Sequence, residues 1–293
     1  MSTTVTASIS SNPVASSITA FFIINTSKYV IIENMKKFKY IYGPVSSWRL
    51  GSSLGVDPLS HKDKICTYDC SYCQIGETLL FSSKRKIFAP TRVILKEIST
   101  MPRNLKIDYI TFSGNGEPTL AKNLGVMIKR IKKMRKEKIA VITNASLIDR
   151  SDVQEDLLQA DFVLLKFDAN AEDLFIDINR PSPGIKFGNI VKGIKKFSAM
   201  YKGRLALQVM LVKKNKAYAK EIAKMAVKLG IKEVQLNTPL RECAEKPLSK
   251  SDMNIIKKYF KGMKIDCVYG AKTKQVKPMD RSDAERRHGR GKR

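Results

Sequence analysis

Cys66-Thr67-Tyr68-Asp69-Cys70-Ser71-Tyr72-Cys73 sets three thiols at a C-x3-C-x2-C spacing. So short a loop can wrap three thiolates around one face of a small inorganic cluster. Iron–sulfur clusters are held by cysteine thiolates, and a cubane takes about four. With only Cys66, Cys70 and Cys73 local, one iron is left without a protein ligand. An open coordination position marks a site that receives a substrate or cofactor, whereas a closed one is structural. Zinc is the competing reading, and three unrelated thiols is the plainest one. Zinc sites pair two C-x2-C or C-x2-H halves about a dozen or more residues apart. No second half follows here, and His61, a possible fourth ligand, precedes the cysteines.

The elements around this loop must alternate between strands and helices. Leu54 to Leu59 reads as a buried strand that delivers the chain to the cysteines. Further strands are expected at 107–112, 138–143, 161–167, 205–212, 231–237 and 263–268. Apolar spacing at three and four residues places helices at 91–101, 120–136, 151–159, 187–201, 216–229 and 249–260. Thr91 and Ser151 are the expected N-caps of two of them, and Gly230 closes another at C'. Such alternation implies parallel strands joined by crossover helices. Runs such as Phe162-Val163-Leu164-Leu165 suit strands covered on both faces. The expected fold is α/β, a full or partial barrel of parallel strands, with an open doubly wound sheet as the alternative. Chemistry then belongs at the C-terminal strand ends.

Polar residues cluster at those ends. Ser113-Gly114-Asn115-Gly116-Glu117-Pro118-Thr119 follows one strand, and its glycines let the backbone approach a ligand. Thr143-Asn144-Ala145-Ser146 ends the next strand, where capping of a following helix is the alternative role. Lys166-Phe167-Asp168 ends another, and neither charged residue belongs in a core without a partner. Arg180 in the following loop could pair with an anionic group. Gln208, Gln235 and Asn237 are candidates to face inward.

The chain has 293 residues and a formal charge of +27, from 54 basic and 27 acidic residues. Such an excess attracts polyanions, nucleic acid foremost, although lysine-rich solvated helix faces give the same count. The most apolar stretch, Ile18 to Ile32, is interrupted by Asn25 to Lys28, so no membrane span is expected. Residues 1–34 read as a disordered extension or as the product of a start assigned ahead of Met35. Residues 35–270 hold the barrel, and 271–293 form a basic disordered tail. Beyond the three clustered thiols only Cys243 and Cys267 remain, a poor disulfide framework and too few for a second all-cysteine cubane. An oxygen-labile cluster needs a reducing compartment, so the expected location is cytoplasmic.

The three cysteines, with Tyr72 before the last, resemble the radical S-adenosylmethionine (SAM) superfamily. The resemblance implies a partial (β/α)6 TIM-like barrel and a [4Fe-4S] cluster on Cys66, Cys70 and Cys73. SAM would chelate the open iron, and reductive cleavage of its sulfonium would give a 5'-deoxyadenosyl radical. It also implies an electron donor of flavodoxin or ferredoxin type. Gly114-Asn115-Gly116-Glu117 resembles the superfamily's GGE motif, which positions the SAM amino group. Asn144, Ser146, Lys166 and Asp168 then become ribose or substrate contacts. Gly43-Pro44-Val45-Ser46-Ser47-Trp48-Arg49-Leu50-Gly51 resembles the "GPVPSRRLG-SLG" opening of a radical SAM family related to the wyosine-base enzymes of tRNA. It departs from that pattern at Ser46 and Trp48 and agrees at Arg49, a candidate contact for a carboxylate or phosphate. A tRNA base is therefore the first substrate expectation. The archaeal wyosine enzymes also carry a second cluster on upstream cysteines, and no cysteine precedes Cys66 here. The alternatives are an activase that plants a glycyl radical on a partner protein, and a non-catalytic metal-stabilised RNA-binding protein.

Overall fold

The computed structural model describes residues 38–102 and 104–280. The extension expected over 1–34 and the tail beyond 280 lie outside the described residues. Among the described residues ten strands run in chain order: β1 (Ile41–Ser47), β2 (Gly51–Val56), β3 (Ile65–Cys66), β4 (Leu80–Phe81), β5 (Tyr109–Phe112), β6 (Lys138–Thr143), β7 (Phe162–Lys166), β8 (Arg204–Met210), β9 (Glu233–Asn237) and β10 (Lys264–Cys267). The helices are α1 (Thr91–Ser99), α2 (Leu124–Met134), α3 (Ser151–Leu157), α4 (Glu172–Asn179), α5 (Phe187–Met200), α6 (Lys213–Lys216), α7 (Ala219–Lys228) and α8 (Lys250–Lys257).

The main sheet has eight strands in the order β1-β2-β5-β6-β7-β8-β9-β10. β1 is antiparallel to β2, and every later neighbour pair is parallel. The sheet curls into a half-barrel with helices outside, as the alternating pattern requires. Among the described residues no helix is long and apolar enough to cross a membrane.

Alternation along each strand divides the buried residues between two cores. Val163 and Leu165 of β7, with Val234 and Leu236 of β9, join Ile194, Ile222 and Phe260 under the helices. Phe162 and Leu164, with Ala140 of β6 and Ala206 of β8, point the other way into the lumen. Leu50, from the turn between β1 and β2, completes that inner cluster. Fully burying a Phe or Leu side chain contributes about 1.5–3 kcal/mol, so both faces of the sheet anchor its register.

The hairpin β1–β2 was not expected as a pair of strands. It closes because Gly55 accepts the ring of Tyr42, which an added Cβ would meet at 2.0 Å. Two expected caps also differ: Thr91 and Ser151 begin their helices after Pro90 and Arg150, and neither cap position makes a side-chain cap bond. Gly230 does lie just past α7 with φ of 74°. Buried Arg85 ties the loop after β5 to α3. It donates to Thr119 O at 2.8 Å and Ala121 O at 3.1 Å, and it pairs with Asp152 at 2.7 Å and with Asp156. Residues 271–280 run back along the sheet, with Met279 N donating to Gly43 O at 2.7 Å and Lys274 Nζ 2.7 Å from Asp108.

Candidate cluster and cofactor site

The cysteine loop leaves the C-terminal end of β2 and is tied down on two sides. On one side Ile65 N donates to Asn115 O at 3.3 Å, and Glu117 N donates to Ile65 O at 3.1 Å. That contact needs Gly116, whose φ is 146° and whose added Cβ would lie 1.8 Å from Ile65 O. On the other side Asp69 N donates to Asn179 O at 3.1 Å and Ser71 N to Ile178 O at 2.8 Å, at the end of α4. Ser182 N donates to Thr67 O at 2.8 Å. The loop therefore sits between the ends of β5 and α4, at the face the strand order predicts.

All five cysteines are free thiols. Each clustered sulfur faces one side-chain nitrogen: Asn144 Nδ2 is 3.5 Å from Cys66, Asn179 Nδ2 is 3.4 Å from Cys70, and Lys64 Nζ is 3.0 Å from Cys73. Burial pushes the Cys66 thiol up to about 12, and the nearby Glu117 carboxylate adds to the shift. Burial likewise lifts Cys70 to about 11, against the Asn179 hydrogen bond. Such thiols keep their protons until a metal displaces them. Among the described residues no three Cys, His, Asp or Glu side chains converge around one ion. His61 is exposed, its Nδ1 engaged within its own turn at Asp63. Three sulfurs with a nitrogen apiece fit a thiolate-held cluster, since hydrogen bonds to sulfur orient and tune such ligands.

The strand-end residues gather around this loop. Glu117 is buried and its carboxylate is fully engaged. Oε1 accepts from Thr119 N at 3.0 Å, Thr119 Oγ1 at 2.7 Å and Thr143 Oγ1 at 2.6 Å, and Oε2 accepts from Asn144 N at 2.7 Å. It thus fixes the end of β6 against the end of β5. Asn144 Nδ2 also donates to Thr67 Oγ1 at 2.7 Å, and Ser146 Oγ lies 2.8 Å from the same oxygen. Asn115 N donates to Asp57 Oδ2 at 3.2 Å, and Gly114 packs against the same side chain. Asn115 and Asp57 line a cavity of about 540 Å³ shared with His61 and Ile75.

Lys166 and Asp168 follow the inner face of β7 and meet at 3.5 Å. Asp168 Oδ2 accepts from the Tyr72 hydroxyl and from Asn179 Nδ2 at 3.1 Å, while Oδ1 accepts from Met210 N at 2.7 Å. Lys166 Nζ stands 4.7 Å from the centre of the Tyr72 ring. One buried carboxylate therefore links β7, β8, α4 and the cysteine loop.

A second cavity of about 540 Å³ opens beside Cys70 and Cys73, with Arg180, Arg241 and Cys243 on its walls. A larger groove of about 770 Å³ lies at the opposite, N-terminal strand ends, near Lys106, Asp108 and Glu137, away from the face that carries chemistry in barrels. Lys64 and Asn179 were missed as site residues. Each reaches its sulfur through a fold-dependent contact that the C-x3-C-x2-C spacing does not encode.

The Radical SAM superfamily profile matches residues 64–226. A UPF0026 protein of Synechocystis sp. is 40% identical over 214 residues, covering 73% of this chain and 79% of its own. A UPF0026 protein of Methanocaldococcus jannaschii is 37% identical over 223 residues, 74% of this chain and 68% of its own. The solved structure of TYW1 with a lysine-pyruvate adduct bound shares the fold, with a TM-score of 0.56 at 17% identity over 71% of this chain and 72% of that one.

Proposed function

Because this chain belongs to the radical SAM superfamily, whose enzymes use a [4Fe-4S] cluster and SAM, we propose that Cys66, Cys70 and Cys73 are the protein ligands of that cluster and that the substrate is an RNA, a tRNA base in first place. The observation that carries the ligand assignment is the set of three nitrogens, one per sulfur, from Asn144, Asn179 and Lys64. When bound, the cluster and SAM supply an electron and a 5'-deoxyadenosyl radical able to abstract hydrogen. The chain's residues do the rest. Tyr68 and Tyr72, both buried, pack in the apolar clusters that hold Cys66 and Cys70. Asp168 orients Tyr72 and Asn179, and Asn179 holds Cys70. Of the Gly114 to Glu117 loop, Asn115 lines the cavity beside Asp57, where the amino acid end of SAM is expected. Asn144, Ser146 and Lys166 are then the proposed contacts for the ribose or the substrate.

The RNA reading rests on charge. The chain carries +27 overall, and Lys62, Arg180, Lys213 and Lys246 are exposed in the segments that follow the strands at the C-terminal face. A reducing, cytoplasmic setting follows from the cluster's lability. The test is anaerobic. Reconstituted protein with SAM and dithionite should release 5'-deoxyadenosine, and tRNA from the same cells should bind with a steep salt dependence and gain a new nucleoside mass. Release of 5'-deoxyadenosine without tRNA binding would remove the RNA substrate and keep the enzyme class.

A further inference from the structure

The segment after the cysteine loop turns apolar side chains toward water. Leu79, Leu80, Phe81 and Ile87 are all exposed, Leu79 by 65% and Phe81 by 50%. Single exposed apolar residues are ordinary, and Val126 on α2, Val227 on α7 and Ile255 on α8 are of that kind. A run of four within nine positions marks a contact surface. Its backbone is held against the cysteine loop. Thr78 is buried, with N donating to Asp69 Oδ1 at 2.8 Å and Oγ1 to Tyr68 O at 2.7 Å. Leu80 N donates to Lys64 O at 3.2 Å and Ser82 N to Cys66 O at 3.1 Å. Phe81 is the register partner of Cys66.

The strip lies on the far side of β3 from the Gly114 to Glu117 loop. Ile65 bonds Asn115 and Glu117 along one edge, while the carbonyls of Lys64 and Cys66 bond β4 along the other. Its rim is basic. Buried Arg85 points inward to Asp152 and Asp156, so its neighbours Lys84 and Lys86 point outward and are exposed. Lys122, also exposed, is joined to Lys86 by its N donating to Lys86 O at 3.0 Å. Among the described residues none of these three lysines takes part in a salt bridge. Lys86 Nζ stands 4.9 Å from the Phe88 ring, and Glu77 is the one acidic residue between 75 and 90.

We propose that Leu79, Leu80, Phe81 and Ile87, with Lys84, Lys86 and Lys122 at the rim, are the docking surface for a small acidic protein that carries one electron. The proposal rests on the radical SAM reading, which supplies the need for that electron. One electron leaves the carrier's reduced cofactor and enters the cluster on Cys66, Cys70 and Cys73, and no atom or proton crosses. Carboxylates on the carrier meet the unpaired ammonium groups and steer the encounter. A patch this small suits the brief contacts of electron transfer, which bury less than about 1,200 Å². RNA fits the strip less well, since bases stack on aromatic rings and three of the four side chains are aliphatic. A second copy of this chain would bring the same basic rim against itself.

The reconstituted chain is titrated anaerobically, by calorimetry, with an oxidised acidic flavodoxin and with an oxidised acidic ferredoxin. Wild type should bind at least one of them saturably, and more weakly as salt is raised. Phe81→Ser and Leu79→Ser should each weaken binding by about tenfold. Lys84→Glu combined with Lys86→Glu should weaken it by about tenfold at low salt and by less at high salt. Val227→Ser, at an exposed position on α7, should bind as wild type does. Release of 5'-deoxyadenosine is then driven by dithionite, a small reductant that needs no docking surface, or by the reduced carrier. Each variant should keep the wild-type rate with dithionite and lose the carrier-driven rate in step with its binding. Binding of neither carrier, or equal carrier binding by wild type and all the variants, overturns the proposal. So does an equal loss with dithionite and with carrier, since the strip would then serve only to hold the cysteine loop. Weaker tRNA binding, or loss of a wild-type dimer, in a Phe81→Ser protein that still binds carrier normally assigns the strip to RNA or to a second copy, and also overturns it. A loaded cluster that releases no 5'-deoxyadenosine with dithionite is a failure of the enzyme reading instead, and the calorimetric arm scores the surface independently of it.

Discussion

Replacing Gly116 with alanine tests how the cysteine loop is held. An added Cβ would lie 1.8 Å from Ile65 O and 2.8 Å from its carbon, where real side chains keep at least 3.0 Å. The two backbones must part by at least about 1.2 Å to reach that ordinary contact. Such a displacement breaks the Glu117 N to Ile65 O bond at 3.1 Å and the Ile65 N to Asn115 O bond at 3.3 Å. Two hydrogen bonds at about 0.5–1.5 kcal/mol each, with about 1–3 kcal/mol of backbone strain, give a loss of roughly 2–6 kcal/mol. Ile65 immediately precedes Cys66, so the first sulfur moves with it. Urea unfolding of the cluster-free chain measures the stability, and iron per chain after reconstitution measures the loop. Gly188→Ala is the control. It lies in α5 with nothing within 4 Å of the added Cβ, and alanine there should be neutral or stabilise by up to about 1 kcal/mol. A Gly116→Ala protein with wild-type midpoint and full iron content would refute the reasoning.

Lys64→Met removes the cation 3.0 Å from Cys73. The cluster potential should fall by about 60 mV or more, the one-electron equivalent of a tenfold change, in an EPR-monitored redox titration. An unchanged potential would show the charge to be screened. Asp168→Asn turns one carboxylate oxygen into a donor facing the donors Tyr72, Asn179 or Met210 N. It should cost about 1–3 kcal/mol in urea unfolding, and a cost below about 0.5 kcal/mol would contradict the network. Arg85→Met breaks a buried pair in which the arginine side chain is 4% exposed and Asp156 18%. Unfolding should become easier by about 3–5 kcal/mol, and a loss under about 1 kcal/mol would show that the carboxylates find water instead.

Much of the barrel was legible because its strands are covered on both faces and leave continuous apolar runs. Phe162-Val163-Leu164-Leu165 marked β7, and the period of Leu124, Met127, Ile128 and Ile131 marked α2. The hairpin β1–β2 was hidden because Gly43, Gly51 and Gly55 interrupt any apolar alternation, although Gly55 sits within β2 to admit Tyr42. The short helix α4, Glu172–Asn179, went unseen because its eight residues carry only a brief stripe, Phe175 and Ile178, which exposed Ile176 blurs. The cysteines and the strand-end loops showed themselves by spacing and composition. Their supports did not: Asn179 meets Cys70 across 109 positions of chain, and Arg241 meets Gln74 across 167. Contacts of that span are set by the curl of the sheet, which local pattern does not carry.

The central claim is that three thiolates hold a cluster with one iron open to SAM. The most direct measurement is iron and sulfide content of the anaerobic protein, with EPR of the reduced cluster before and after SAM is added. The expected result is about four irons and four sulfides per chain, lost on replacing Cys66, Cys70 or Cys73 by alanine, and a spectrum that changes with SAM. One zinc per chain, or an intact cluster whose spectrum SAM leaves untouched, would contradict it.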